Sequence, residues 1–433
     1  MANLKKTHKY VQVGVGARSA MYYEAIAKNY LANAEIVGFC DINRTRLNFA
    51  SKTYLDLTGQ QVPTYLSKEF DLMVKKTKPD SVIVTSIDRT HHYYIVRAME
   101  LGCDVITEKP MTIDLEKCQE ILDTINRTNR KLTVTFNYRY MPRATKLREL
   151  LMKNTIGKIF SVHFEWLLDL QHGADYFRRW HRDKRNSGGL LVHKSTHHFD
   201  LVNYWLQDYP QTVMAFGDLR YYGRANAEAR GITEFYSRSH GSEFKQTDPF
   251  TIDLANNKKL RSLYLDAEKD DGYIRDQSVF SDGISIEDTA AVLVRYDSGA
   301  LMTYSLNAYQ PWEGFRLSLT GSKGRIELLA VENSYISASG KREVEGSANN
   351  SYLKVSPHFE KPYIVDIPKT QGGHGGGDPE LLKDIFSVRP PKDIYNRSAN
   401  HIDGSWSILT GIAANKSIQT GLPVNIDNLI AWH

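Results

Sequence analysis

Residues 10–20 read YVQVGVGARSA, and this stretch decides the fold of the chain. The apolar β-type run Tyr10–Val13 leads into a glycine turn, and a helical pattern follows from Ala20. A strand, a glycine turn and a helix N-terminus in this order present backbone N–H groups and the positive end of a helix dipole to a pyrophosphate. Gly14 permits the tight turn, and Gly16 lets the backbone approach the phosphates. A serine replaces the third glycine of the fingerprint, so an ordinary strand–turn–helix unit is the alternative.

The next predicted strand supplies the second half of this signal. Ala34–Cys40 reads as a strand, and Asp41 follows at its C-terminal end. A carboxylate ~20 residues past the glycine turn can accept hydrogen bonds from both ribose hydroxyls of an adenosine, although it would also suit the cap of a helix starting near Asn43. The complete order predicts dinucleotide binding. Asp41 favours NAD because a carboxylate repels a 2′-phosphate, while Arg44 and Arg46 leave NADP open.

Two patterns of secondary structure divide the chain. β-type and helical runs alternate as far as about residue 134, which predicts a doubly wound parallel sheet. After about residue 150 strands follow one another, interrupted by one helix at about 190–206, which predicts an open, mainly antiparallel sheet. We therefore predict an α/β protein of two domains. The predicted units are a Rossmann domain (1–136), a substrate-binding and oligomerisation α/β domain (137–433), a long insertion within the latter (about 220–286) and a C-terminal helix (405–420).

Composition narrows the class of protein. The chain has 433 residues, too many for one simple core, and its 55 basic and 50 acidic residues are scattered, which argues against a nucleic-acid partner. The three cysteines form no CxxC pair, so we expect neither a disulfide framework nor a thiolate zinc site. Scarce cysteine also fits a reducing, cytoplasmic location, which we expect for this protein. Neither a signal core nor an apolar run long enough for a bilayer is present, so we expect no membrane association.

Lys109 is the first candidate catalytic residue. It lies in Glu108-Lys109-Pro110, directly after the predicted strand 104–107. Proline biases the preceding residue toward an extended conformation, so Lys109 projects from a strand end, where ligands gather in doubly wound sheets. An ammonium there can donate to a substrate hydroxyl and stabilise the alkoxide that forms as hydride leaves. A surface lysine after a strand is the alternative.

Residues 187–200, SGGLLVHKSTHHFD, carry the densest set of titratable groups. On one continuous helix His193 and His197 would lie four residues apart on one face, with Asp200 near it. Imidazole titrates near neutral pH, so His197 suits a general base that accepts a hydroxyl proton. Two imidazoles on one face also suit a metal ion, but no third ligand is identifiable and we assign no metal site. Packing of these histidines in the interior is the remaining alternative.

Together these motifs resemble the glucose–fructose oxidoreductase/inositol dehydrogenase/MocA (Gfo/Idh/MocA) family over nearly the whole chain. The resemblance implies NAD(P)-dependent redox chemistry at a sugar or polyol carbon, and homodimers or homotetramers that pack through the open sheet. The matching segments are the glycine turn 14–18, Asp41, residues 86–91, Glu108–Pro110, residues 188–200 and Thr420–Pro423.

The resemblance also implies roles for particular residues. Catalytic roles fall to Lys109 and His197. His193 stands where the family pattern has Asp or Asn, and Asp88 where it has Asn, so the sequence leaves open which histidine is the base. The residues implied in cofactor binding are Gly14, Gly16, Ala17, Arg18, Asp41, Ser86, His91, Glu108 and Lys109. The residues implied near the substrate are Arg139, Trp180, His193 and Asp200.

Two other functions compete with a dehydrogenase. Some members of the resembled family are glycosidases that use bound NAD for transient oxidation, elimination and hydration of a glycoside, and they share a His-Gly-Gly loop like residues 374–376. The glycines of such a loop also suit a plain connection. A non-catalytic nucleotide sensor is the third possibility, and it would tolerate the loss of Lys109.

Overall fold

The computed structural model describes residues 7–333, 335–336, 342–343, 351–368 and 374–432. In chain order the strands are β1 (His8–Val13), β2 (Ala34–Asp41), β3 (Thr64–Leu66), β4 (Ser81–Val84), β5 (Asp104–Thr107), β6 (Leu132–Val134), β7 (Ile159–Asp169), β8 (Pro210–Asp218), β9 (Thr289–Tyr296), β10 (Leu301–Gln310), β11 (Glu313–Gly321), β12 (Gly324–Asn333), β13 (Tyr335–Ile336), β14 (Arg342–Glu343), β15 (Tyr352–Pro357), β16 (Tyr363–Val365), β17 (Ala399–Asn400) and β18 (Val424–Asn425). The helices are α1 (Ala20–Ala25), α2 (Arg44–Thr58), α3 (Phe70–Thr77), α4 (His91–Glu100), α5 (Leu115–Thr128), α6 (Pro142–Met152), α7 (Leu170–Arg178), α8 (Lys184–Ser187), α9 (Leu190–His193), α10 (Thr196–Leu206), α11 (Arg224–Ala229), α12 (Lys258–Leu260), α13 (Glu268–Asp271), α14 (Gly377–Phe386) and α15 (His401–Thr420).

The first sheet is built around the glycine-turn strand. Its order is β17-β6-β5-β4-β1-β2-β3, and β1 pairs in parallel with both β2 and β4. Val11 and Val13 are fully covered because helices lie on both faces, which explains why the run is apolar rather than alternating. The Nε2 group of Gln12, also buried, donates to the Ser19 carbonyl at 3.0 Å and to the Thr85 hydroxyl at 3.2 Å. This part of the fold confirms the predicted doubly wound domain.

The second sheet has the order β16-β15-β12-β11-β7-β10-β9-β8-β18, and it is antiparallel except where β10 runs parallel to β7. Residues along β9 alternate between buried and exposed, so one face packs inward and the other faces outward. Phe216, Leu293 and Leu301 lie on the outward side and remain 69%, 55% and 55% exposed. The prediction of an open, mainly antiparallel sheet is confirmed. Among the described helices, including the 20-residue α15, none combines the length and apolarity needed to span a bilayer.

The single helix predicted at about 190–206 is wrong, because the segment contains two helices. α9 ends at His193 and α10 begins at Thr196. The intervening turn lets two polar side chains reach buried hydroxyls: the Lys194 ammonium donates to Tyr138 at 2.9 Å, and the Ser195 hydroxyl lies 2.9 Å from that of Tyr304. The helix-face argument that joined the two histidines of this segment therefore does not hold.

The long insertion, residues 220–286, consists of short helices and loops that return to the first domain. Its α12 and α13 lie beside α2 of the Rossmann domain, joined by a π-helical turn at Arg261–Leu265. Tyr264 from this turn is only 6% exposed. The insertion thus connects the two domains through packed side chains.

Strands β15 and β16 lie in a stretch, about 330–371, that has no clear pattern in the sequence.

A buried ion pair fixes the start of the second domain, directly after the Rossmann domain. Arg139 donates to both carboxylate oxygens of Asp200, at 2.8 and 2.6 Å, and to Asp403 at 2.9 Å. The side chains of Arg139 and Asp200 are 3% and 1% exposed. β17, directly before α15, pairs with β6 and carries the C-terminal part of the chain into the first sheet. The structure pairs the charges of Arg139 and Asp200 with each other, and the substrate contact implied for these two residues stays a prediction.

Replacing Arg139 with leucine would leave a buried carboxylate without its cation. We expect the free energy of unfolding to fall by about 3–5 kcal/mol, the usual cost of breaking a buried ion pair. Urea unfolding followed by circular dichroism measures this loss. Arg220→Leu is the matched control, because the pair of Arg220 with Asp218 is 69% and 65% exposed and should contribute about 0–1 kcal/mol. Equal losses in both variants would contradict the structural role of Arg139.

Candidate active site

The glycine turn lies against the end of β4, where the fingerprint requires a close approach. Gly14 has φ +81°, and a Cβ at this position would collide with the backbone of Ser86. A Cβ at Gly16 would meet no heavy atom within 4 Å, so open space lies over the start of the helix. Ala17, directly after it, is exposed. Backbone donors beside open space are what a pyrophosphate requires, and this part of the structure fits a dinucleotide.

Asp41 lies at the end of β2, where a ribose would bind. Its carboxylate accepts from the backbone N–H groups of Val15 at 2.7 Å and Asn43 at 2.8 Å, and from Arg46 at 3.4 Å. An ionised carboxylate has about four acceptor positions, so capacity remains for a ribose hydroxyl. The cap of α2 is formed by the Asn43 side chain, which accepts from the backbone N–H of Arg46 at 3.0 Å. Asp41 is therefore not the helix cap.

Glu108 anchors the loop that carries Lys109. Its carboxylate accepts from Arg18 at 2.6 Å and from the Tyr22 hydroxyl at 2.7 Å. Burial by itself raises the pKa of Glu108, but the neighbouring Arg18 and the Tyr22 hydrogen bond outweigh it and hold that pKa below its usual range. Arg18 also reaches Asp378 at 3.5 Å. Glu108 is thus a buried anion that fixes the end of β5.

His91 joins the two loops that border the cleft. Its Nδ1 lies 2.8 Å from the Pro110 carbonyl oxygen, and its Nε2 lies 3.0 Å from the Ser86 carbonyl oxygen. Burial lowers the pKa of His91, so the imidazole is neutral at neutral pH. The structure therefore places His91 between the Ser86 and Pro110 carbonyls, behind Lys109, and the neutral ring donates to one of the two carbonyl oxygens.

Lys109 and His193 meet at the carboxyl ends of the parallel strands. The Lys109 Nζ lies 3.1 Å from the His193 carbonyl oxygen and 3.5 Å from its ring Nε2. On the other side of the ring, His193 Nδ1 forms a hydrogen bond with the buried Asp88 carboxylate. The Rossmann domain supplies the lysine and the carboxylate, and the second domain supplies the imidazole. This contact brings together residues that are 84 and 105 positions apart.

The charges of this cluster are set by burial. Burial lowers the pKa of Lys109 to about 8, although Asp88 and Glu108 raise it again. Burial also lowers the pKa of His193 well below 6.5, with Lys109 adding repulsion, and raises that of Asp88. Because the Lys109 ammonium faces Nε2, that nitrogen is the acceptor, and Nδ1 carries the proton and donates to Asp88. His193 is therefore a neutral imidazole with its lone pair directed toward Lys109.

Aromatic rings surround His193. The edge of Tyr176 lies 5.5 Å from its ring, and His181 lies at 4.2 Å, both centroid to centroid. Trp180 stacks on His181 at 3.6 Å. Such a wall offers apolar faces to the carbon–hydrogen faces of a sugar. Sequence reasoning did not single out Tyr176, because a buried tyrosine in a helix carries no local signal of its role.

His197 occupies a different environment from His193. Its ring stacks on Tyr138 at 4.1 Å, and the edge of Phe136 lies 6.0 Å away. The neighbouring His198 lies in the core, where its Nδ1 is 2.7 Å from the Tyr304 hydroxyl. The structure thus brings Lys109 and His193 into direct contact, and separates His197 from His193 by the break between α9 and α10.

Comparison with known proteins agrees with this architecture. Residues 8–136 match the profile described as "Oxidoreductase family, NAD-binding Rossmann fold", and residues 148–426 match "Oxidoreductase family, C-terminal alpha/beta domain". The chain is 35% identical to the Bacillus subtilis (strain 168) protein YteT, which carries the name of an oxidoreductase, over 96% of this chain and 97% of that protein. It is 29% identical to glucose-6-phosphate 3-dehydrogenase of the same organism over 41% of this chain and 48% of that enzyme.

A solved structure shows the same fold. It is an oxidoreductase from Agrobacterium radiobacter in complex with NAD+, L-tartaric acid and magnesium. The two structures superpose with a TM-score of 0.64 and 15% sequence identity, covering 98% of this chain and 100% of that chain.

We expect Lys109 to lose its proton near pH 8, because burial lowers its pKa to that value. Only a neutral amine reacts with acetic anhydride, so acetylation of Lys109, followed by mass spectrometry of its peptide, should rise through pH 8. Asp88→Asn removes a carboxylate that raises the Lys109 pKa, and the midpoint should move to lower pH. Asp114→Asn, which removes a surface carboxylate paired with Lys117, is the control and should leave the midpoint in place. An unchanged midpoint in Asp88→Asn contradicts the coupling.

Proposed function

The chain belongs to the Gfo/Idh/MocA oxidoreductase family, with an NAD-binding Rossmann domain and a C-terminal α/β domain, and on that premise we propose that it is a sugar or polyol dehydrogenase. The reaction is hydride exchange between NAD and a hydroxyl-bearing carbon of a sugar, a polyol or a sugar derivative. The observation that carries the proposal is the contact of Lys109 with His193, supported from behind by Asp88. The similarity to an enzyme named glucose-6-phosphate 3-dehydrogenase supports a carbohydrate substrate.

The cofactor would be held by the glycine turn and Asp41. When bound, NAD supplies a nicotinamide carbon that accepts hydride or returns it. Gly16 leaves open space for the pyrophosphate, the positive φ of Gly14 lets the turn lie against Ser86, and Asp41 would accept from ribose hydroxyls. We assign Glu108 to the support of the Lys109 loop, because Arg18 and Tyr22 occupy its carboxylate.

The proton of the substrate hydroxyl would pass to His193. Its Nε2 lone pair is available because Nδ1 donates to Asp88, and the Asp88 carboxylate stabilises the imidazolium that forms. The Lys109 ammonium donates to the substrate oxygen and offsets the negative charge that develops there as hydride departs. His197, the base implied by the resemblance, is the rival candidate for the same proton. Trp180 and Tyr176 would form the apolar wall of the substrate site.

Assembly and location follow from other surfaces. The outer face of the second sheet exposes apolar side chains such as Phe216 and Leu293, and exposed apolar side chains of this size favour association. We propose a homodimer or homotetramer that packs through this face.

Cys40, Cys103 and Cys118 are free and buried thiols, which supports the cytoplasmic location that we propose.

A glycosidase that recycles its NAD is the second candidate function. The insertion packs over the Rossmann domain, with Tyr264 beside the glycine turn, and a covered cofactor suits an enzyme that regenerates NAD at each turnover. In that reaction oxidation of a ring carbon is followed by elimination of the glycosidic oxygen, addition of water and return of the hydride. The loop at residues 374–376 lies against the Arg143 guanidinium, close to the turn at Asn137–Tyr140.

Product analysis separates the two functions. Incubated with NAD and a panel of polyols, hexoses and glycosides, a dehydrogenase forms NADH in proportion to the oxidised substrate. We expect this result, measured by NADH fluorescence alongside chromatography of the sugars. Release of free sugar from a glycoside with no net NADH would assign the glycosidase reaction and contradict the dehydrogenase.

The proton acceptor is tested with paired variants. We expect His193→Ala to lower kcat/KM by about 10²–10⁴-fold, the usual contribution of a general base, and His197→Ala to lower it less. Lys109→Ala should lose turnover to a similar extent and still bind NAD, as measured by isothermal titration calorimetry. A larger loss in His197→Ala than in His193→Ala would give the base role to His197. Full turnover in Lys109→Ala would indicate a nucleotide sensor rather than an enzyme.

A further inference from the structure

The strap, residues 258–273 of the insertion, docks on the adenosine end of the Rossmann domain. Its Leu263 and Tyr264 pack in a small apolar cluster with Leu254, and Phe49 of α2 packs against this cluster. Polar contacts fix the same position: the Asn43 side-chain amide donates to the Ala267 carbonyl at 2.8 Å. The second domain therefore contributes directly to the surface where the ribose of a dinucleotide binds.

The strap also reaches the glycine turn. The Tyr264 hydroxyl lies 3.4 Å from the backbone nitrogen of Ala17, in the row of donors that faces a pyrophosphate. Tyr264 is 6% exposed, so its ring is held in place by its neighbours. Two separate contacts, one at the turn and one at α2, thus place the strap along the cofactor crevice rather than on a remote surface.

Arg46 is the residue whose role the strap changes. It follows Asp41 by five positions, which is where an arginine can bind the 2′-phosphate that distinguishes NADP from NAD. In the structure the Arg46 guanidinium lies between two carboxylates: it is 3.4 Å from Asp41 and forms an ion pair with Asp271 of the strap. The Arg46 side chain is only 10% exposed. Its charge is therefore paired, and its Nη2 group is occupied, before any cofactor arrives.

Further negative charge surrounds the same point. The Asp270 carboxylate accepts from the backbone N–H of Thr45 at 2.7 Å, one residue from Arg46. Three carboxylates, Asp41, Asp270 and Asp271, thus face one guanidinium at this end of the crevice. A phosphate monoester in this place would be repelled by Asp41 and Asp271 and would have to displace Asp271 from Arg46.

We propose that Asp271 is a cofactor-specificity residue, which keeps Arg46 away from the 2′-phosphate position and so makes this enzyme select NAD against NADP. The choice is made by a segment of the second domain, outside the Rossmann fingerprint. The inference rests on the NAD-binding Rossmann domain and is independent of the substrate and of the catalytic residues proposed above.

The test measures binding alone. Protein freed of cofactor is titrated with NAD and NADP by isothermal titration calorimetry. Asp271→Asn releases Arg46, and we expect the affinity for NADP to rise about tenfold while that for NAD changes less than about threefold. The double variant Asp271→Asn/Arg46→Ala should lose this gain, because the released guanidinium is what binds the phosphate. No gain in Asp271→Asn, or a gain that persists in the double variant, overturns the proposal.

Two further variants distinguish the specific role of Asp271 from a general loosening of the strap. Asp270→Asn removes the same charge one position away without touching Arg46, and we expect a gain in NADP affinity of less than about threefold. A gain equal to that of Asp271→Asn overturns the specific role of Asp271. Arg46→Ala alone should leave the NADP affinity of the otherwise unchanged protein within about twofold. A tenfold loss would show that Arg46 already binds the 2′-phosphate, and would also overturn the proposal.

Discussion

A partly buried ammonium group constrains the centre of this molecule. Lys109 lies at the end of β5, where burial disfavours its charge and lowers its pKa to about 8. Two carboxylates oppose that effect and raise the Lys109 pKa: Asp88, which follows the neighbouring strand β4, and Glu108, which directly precedes Lys109. Glu108 can stay ionised only because Arg18 and Tyr22 bind it. The glycine turn, the strand ends and the lysine are therefore linked by one set of charges, and the cleft takes its electrostatic character from them.

The same constraint explains why His193 and Asp88 belong together. His193 lies four residues before His197, the base implied by the resemblance. A protonated imidazole at position 193 would repel the Lys109 ammonium. Asp88, which stands where the resembled pattern has an amide, supplies a carboxylate on the far side of that imidazole. In this pair His193 Nδ1 carries the proton and donates to Asp88, and Nε2 stays an acceptor beside Lys109.

The second domain does more than present a substrate surface. β17 joins it to the first sheet, and the strap reaches the adenosine end of the cofactor crevice. Residues from beyond position 136 therefore border both ends of the crevice, at Lys109 and at Arg46. This arrangement makes the cleft a product of domain packing, because neither domain alone contains Lys109 with His193, or Arg46 with Asp271.

Local sequence was sufficient for the first domain and for the class of the second. The glycine turn, Asp41 and the alternation of apolar runs specify strands and helices through short-range backbone preferences, and the alternation along β9 specifies a half-exposed strand in the same way. Only the tertiary structure decided which side chains meet. A helix across 190–206 fits the local pattern, but buried hydroxyls of Tyr138 and Tyr304 break it, and the break separates His193 from His197. Arg139, which the resemblance places near the substrate, pairs in the structure with Asp200, 61 positions away. Contacts of this kind depend on distances in space between residues remote in the chain, and a local pattern of residues contains no information about them.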